Sequence, residues 1–131
     1  MNHLFDLSAF TPHGFCLAWQ PGLIWLTATS NILIALAYFS IPAALAALLI
    51  RRREFEYGAI LGLFAAFILA CGTTHVFAAL TLWLPLYWIS GITDAVTAAL
   101  SIATAFLLWP LIPKLVALPS PTALQKSNVA L

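Results

Sequence analysis

The sequence predicts an all-α membrane protein built as an antiparallel bundle of three transmembrane helices, and three observations carry that reading. Of 131 residues, 63% are hydrophobic and only 7% are charged, against about a quarter charged in a soluble domain. Mean hydropathy is +1.04. Three stretches reach the ~20 apolar residues that a membrane helix needs. None alternates as a membrane strand does, and three strands cannot close a barrel. These numbers exclude a water-soluble globule, and the hydrophobicity excludes a disordered chain. A net charge of +1 does not provide the basic face that nucleic acid demands. Little chain is left for a soluble catalytic domain.

Residues 1–22 form an N-terminal segment outside the membrane. Met1, Asn2, His3 and Asp6 give it no basic n-region, and its apolar run starts late, so it does not read as a signal peptide. Within it, Pro12–Cys16 reads as a surface turn with a free thiol, and the His13/Cys16 pair makes at most a weak metal site. The membrane domain spans 23–112. Its first span runs from Leu23 to Ile50, with Pro42 inside it expected to kink the helix or loosen its ladder. The second runs from Tyr57 to Leu82 and carries Gly58, Gly62, Ala66, Ala70, Thr74 and Ala78 at every fourth position, a stripe that lets another helix approach closely. The third runs from Trp88 to Leu108 or Ile112. Residues 113–131 form a tail in which Pro119 and Pro121 end the membrane helix. There Leu124, Asn128 and Leu131 take helical spacing, as at the start of a signalling linker.

Orientation follows from the basic residues. Arg51, Arg52 and Arg53 lie in the first loop, and Lys114 and Lys126 follow the third span. All five then fall on one side, which the positive-inside rule makes cytoplasmic, with the N-terminus outside. Trp19, Trp25, Trp83 and Trp88 gather at the outer ends and Trp109 at the inner one, as an interfacial belt.

Polar residues inside the spans point to a site, because ionisable groups in lipid are costly. Only His75 and Asp94 lie deep. Cys71 and His75, spaced i, i+4, share one helix face. A thiolate and an imidazole can converge on one metal ion from there, although a buried cysteine and a hydrogen-bonded histidine would share the same spacing. At 1.5 Å per residue, Asn31–Tyr38, Cys71–His75 and Asp94–Thr97 fall at similar heights, which predicts one polar layer shared by all three helices.

Two motifs on consecutive spans, Ala-Tyr-Phe-Ser-Ile-Pro at 37–42 and Cys-Gly-Thr-Thr-His at 71–75, resemble the ethylene-binding domain of plant ethylene receptors and related bacterial sensor kinases. The resemblance covers about residues 12–118. It implies a three-helix membrane unit that works as a homodimer and binds ethylene through a copper ion. The family's copper ligands fall on Cys71 and His75. Its other binding positions fall on Asn31, Tyr38, Ile41 and Pro42 of the first span and on Phe64, Phe67 and Ile68 of the second. This chain carries Asn31 where the family usually has an acid, and Asp94 where it often has a lysine.

The chemistry agrees with that resemblance. Ethylene has no charge, dipole or hydrogen-bonding group, so only a metal that binds alkenes holds it strongly. Thiolate and imidazole suit Cu(I), and the thiolate cancels its charge in lipid. If His75 ligates through one ring nitrogen, the other N–H needs an acceptor. Asp94 is one candidate acceptor, from His75 or from the Asn31 amide, since an unpaired carboxylate at this depth costs about 2.5–3.5 kcal/mol; the equal alternative is a protonated Asp94 hydrogen-bonded to a backbone carbonyl. The expected function is copper-dependent ethylene sensing, as a non-enzymatic input domain in an inner bacterial membrane. A downstream kinase or other output domain would lie beyond this chain. The alternatives are a dimerising anchor that no longer binds ligand and a membrane copper-binding protein.

Overall fold

Pro21 presets the helical φ where its missing N–H costs nothing, and it opens α1 (Pro21–Arg51). A computed structural model describes residues 5–52 and 56–130; Met1, Asn2, His3, Arg53 and Leu131 lie outside them. After α1 come α2 (Gly58–Leu80), α3 (Tyr87–Val116) and a short α4 (Pro121–Ala130). The first three are long and apolar enough to cross a membrane. Among the described residues there is no strand.

Each span differs from its expected bounds by a few residues. Pro42 sits inside α1 without ending it, and it is buried. Because proline has no N–H, the Tyr38 carbonyl one turn earlier loses its helical donor. Pro110 and Pro113 likewise sit inside α3, which continues to Val116 rather than stopping near Ile112. The chain turns after Leu118, and Ser120 caps α4 by accepting from the Ala123 N–H at 3.1 Å.

α2 is the central element. It packs on α1 along one side and on α3 along the other, while α1 and α3 barely touch. No more than 11% of the most apolar stretch of any span is buried within the chain. Much of the remaining apolar surface is left to face lipid or another chain. On α1 the buried residues are Ile24, Ala28, Ala35 and Pro42. On α2 they are Ile68, Gly72 and Ala79. Small side chains on both faces bring the backbones together. A Cβ added to Gly72 would lie 2.9 Å from the Phe39 ring and 3.2 Å from the Tyr38 Cβ.

The N-terminal segment is a docked cap rather than the free surface turn its sequence suggests. The turn that follows α2 presents backbone carbonyls, and the segment supplies donors to them. The His13 N–H donates to the Thr81 carbonyl at 2.8 Å, and the Gly14 N–H to the Leu82 carbonyl at 3.0 Å. The Tyr87 hydroxyl, at the start of α3, donates to the Thr11 carbonyl at 2.8 Å. Its ring meets Phe10 edge-on, with centroids 5.8 Å apart. Leu82 is fully buried against Ile24, Ala28 and Leu17. Ala18 and Trp19 take left-handed φ values of 50° and 49° as the chain swings into α1, a conformation that costs a residue with a Cβ. Trp25 and Trp83 lie 6.1 Å apart at this same end.

Two glycines therefore carry testable weight. A Cβ at Gly14 would lie 2.8 Å from the Leu82 carbonyl oxygen, a backbone atom that cannot swing away. Gly14→Ala should cost about 1–3 kcal/mol of local stability, read as lost hydrogen-exchange protection at the His13 amide while the helices keep theirs. Gly72→Val should force α1 from α2 and lower the thermal midpoint in detergent, at a cost of similar size (about 1–3 kcal/mol). Helix content by circular dichroism should hold.

Candidate metal centre

The buried positions Ala28, Ala35 and Pro42 of α1 recur every seven residues, and Asn31 and Tyr38 fall between them at alternating steps of three and four. All five therefore share one face of the helix. The α2 face opposite reads Ile68, Gly72, His75 and Ala79, again in steps of four and three. The pattern thus aims Asn31 and Tyr38 from one helix, and His75 from the other, into one seam.

Within that seam His75 has two neighbours. Its Nδ1 lies 2.7 Å from Asn31 Oδ1. Its ring meets Tyr38 edge-on, with centroids 5.7 Å apart and planes at 79°. The Asn31 amide is itself anchored, since Nδ2 donates to the Thr27 carbonyl one turn back at 2.9 Å. Asn31, Tyr38 and His75 are all half-buried. Cys71 lies one turn before His75 on α2, half-buried and without a disulfide partner.

The remaining expected site residues divide. Ile68 and Pro42 are buried on the α1–α2 seam. Phe67 is half-buried, 6.2 Å from Phe64 between ring centroids. Ile41 is 40% exposed. Phe64 faces a different place, an apolar groove of about 340 Å³ between α2 and α3, together with Tyr57, Leu61, Thr104, Leu108 and Leu111. It lies roughly 10 Å along α2 from Cys71, at 1.5 Å per residue.

Asp94 is not brought to His75. It is exposed on α3, and neither of the hydrogen bonds that engage Asn31 and His75 side chains reaches it. The hydroxyls beside it turn inward on their own helix. Thr97 donates to the Thr93 carbonyl at 2.8 Å, Ser101 to Thr97 at 2.7 Å and Thr104 to Leu100 at 2.7 Å. On α2, Thr73 and Thr74 do the same toward Leu69 and Cys71. Hydroxyls in lipid can always satisfy themselves this way, whereas an imidazole and an amide need a partner helix. The polar layer expected across three helices therefore resolves into one paired α1–α2 centre and a set of self-satisfied hydroxyls.

Three residues at this centre went unrecognised in the sequence: Thr27, whose carbonyl anchors Asn31, and Gly72 and Phe39, which set the helix separation. Gly72 stood inside the Cys-Gly-Thr-Thr-His motif, so its signal was present. Thr27 acts through its backbone, which no side-chain pattern reports.

Among the described residues no group of three or more histidine, cysteine or acidic side chains converges. Cys71 and His75 offer a thiol and an imidazole, donor types that suit a soft ion such as Cu(I).

Residues 22–118 match the family model described as "Ethylene receptor 1-like, N-terminal domain". No solved structure matches the chain. The match runs from the first turn of α1 to just beyond α3 and takes in every residue of the paired centre; the chain belongs to the ethylene receptor 1-like N-terminal domain family.

Proposed function

We propose that this domain senses ethylene inside the membrane through one Cu(I) held by the Cys71 thiolate and the His75 imidazole. The observation that carries this is the seam itself. In a chain of the ethylene receptor family, the one deep histidine is gripped by two residues of the neighbouring helix, with a cysteine one turn away. Copper, when bound, supplies the affinity for an alkene that no side chain offers.

The chain's own residues do the rest. The thiolate cancels the charge of the ion, so the centre needs no further counter-charge in lipid. Tyr38, Pro42 and Ile68 wall the seam against water, with Phe67, Ile41 and Phe64 further out. An apolar gas is already concentrated in the bilayer, so a half-buried seam between two spans is open to it without an aqueous channel. The family is that of a sensor input domain rather than a catalytic one. A homodimer agrees with the small-residue stripe of α2, where a Cβ at Gly62 would meet nothing within 4 Å and leaves room for a second helix. With Arg51, Lys114 and Lys126 cytoplasmic, the cap at the N-terminus lies outside, in an inner bacterial membrane, and α3 leads toward an output domain.

Copper content and saturable binding of labelled ethylene, measured on the purified protein with and without added Cu(I), test this reading. The wild type should retain copper and bind ethylene only when loaded. Cys71→Ser and His75→Ala should each abolish both while circular dichroism reports intact helices. Full loading in both variants overturns the ligand assignment. Copper without saturable ethylene binding leaves a copper-binding protein, and neither leaves an anchor.

Topology has its own check. The Cys16 thiol is exposed, so a membrane-impermeant maleimide should label it in intact cells. Labelling only after the cells are broken would reverse the orientation.

A further inference from the structure

We infer that Asn31 is a positioning residue that places the proton of neutral His75 on Nδ1 before any metal arrives and leaves Nε2 as the ligand atom. The inference rests on the copper reading above for the identity of the metal, but the proton placement itself does not need the metal.

The argument begins at the Thr27 carbonyl, which can only accept. The Asn31 atom 2.9 Å from it is therefore the amide nitrogen, and the orientation of the amide is settled by chemistry. The oxygen is turned to His75, whose Nδ1 lies 2.7 Å away. An amide oxygen has no hydrogen to give, so the hydrogen in this bond belongs to Nδ1. A neutral imidazole carries one N–H, so Nε2 is bare and its lone pair is available. The hydrogen bond made by one ring nitrogen decides which nitrogen meets a metal. The edge contact with Tyr38 fixes the ring's rotation about the same bond, so the direction of Nε2 is set as well as its protonation.

An acid at position 31 would keep the acceptor for Nδ1–H, and a leucine would remove it, so Asn31→Asp and Asn31→Leu separate the acceptor from the other properties of the side chain.

The test reads the ¹⁵N chemical shifts of His75 in the metal-free protein, in lipid, at a pH where the imidazole is neutral. The wild type and Asn31→Asp should show Nδ1–H with Nε2 bare. Asn31→Leu, similar in size and without an acceptor, should move the proton largely to Nε2. Cu(I) affinity should fall about 10–100-fold in Asn31→Leu, the range for losing a partner of a metal ligand. Wild-type protein with its proton on Nε2, or an unchanged tautomer in Asn31→Leu, overturns the inference; the wild-type spectrum alone decides should a variant fail to fold. Nδ1–H in a wild type that takes no copper refutes the copper reading and leaves the proton placement standing. Copper held with the proton on Nε2 refutes the placement and leaves the copper reading standing.

Discussion

Among the described residues, one hydrogen bond joins the side chains of two membrane helices: His75 Nδ1 to Asn31 Oδ1. Its net worth in a membrane is modest, about 0.6–2 kcal/mol, so it does not hold α1 on α2. Leaving an amide or an imidazole unpaired in hydrocarbon would cost several kcal/mol. That asymmetry gives the bond its structural consequence. Sliding α1 by one turn along α2 would separate the partners and orphan both groups, so the bond selects one register from the several that small residues alone would permit. Packing supplies the attraction, through Ala35 and Gly72, and the polar pair supplies the choice. The register then brings Tyr38 against the His75 ring and Ile68 into the same seam.

Much of this was legible in the sequence, and the parts that were not share a cause. Three spans follow from run length and charge alone, because hydrocarbon admits little else. Cys71 and His75 stand out because their spacing puts them on one face, and the alternating steps through Ala28, Asn31, Ala35, Tyr38 and Pro42 already describe a seam. The partner of His75 did not follow. Asn31 and Asp94 lie at similar heights, and height does not tell which helix stands beside which. Neighbourhood was decided by the Gly72 approach and by α2 taking the central place, and only then does Asp94 fall on the exposed face of α3. The N-terminal cap was hidden for another reason. Its bonds run between backbone atoms of His13, Gly14, Thr81 and Leu82, while side-chain patterning reports only faces and periods.

The cap and the seam belong to one mechanical unit. Thr81 and Leu82, whose carbonyls receive the N-terminal segment, follow directly on α2, six and seven residues beyond His75. Leu82 is buried on Ile24 and Ala28, and Ala28 is one turn from Asn31. The outer end of the α1–α2 pair is therefore pinned twice, by backbone hydrogen bonds and by an apolar plug, before the polar pair is reached. At the other end the described residues pack less closely. A Cβ at Gly58 would meet only a Leu49 methyl at 4.0 Å, and the α2–α3 groove opens there beside Tyr57 and Leu61. Among the described residues the packing is closer at the cap than toward the Arg51 end.

That gradient bears on how a change at the centre could leave the domain. Within one chain α1 barely touches α3, yet α3 is the helix that continues to the C-terminal segment. Any displacement at the seam must pass through α2 to reach it. Near the centre, the α3 hydroxyls are bound to their own helix and offer α2 no specific grip. Lower down, Thr104 and Leu111 are buried beside Phe64 and Leu61 in a groove with unfilled volume. Pro110 and Pro113 remove the helical donors for the Phe106 and Trp109 carbonyls in the same stretch of α3. The outer end is pinned, the centre is paired, and the inner half of the α2–α3 contact is loosely filled beside a helix ladder that two prolines interrupt.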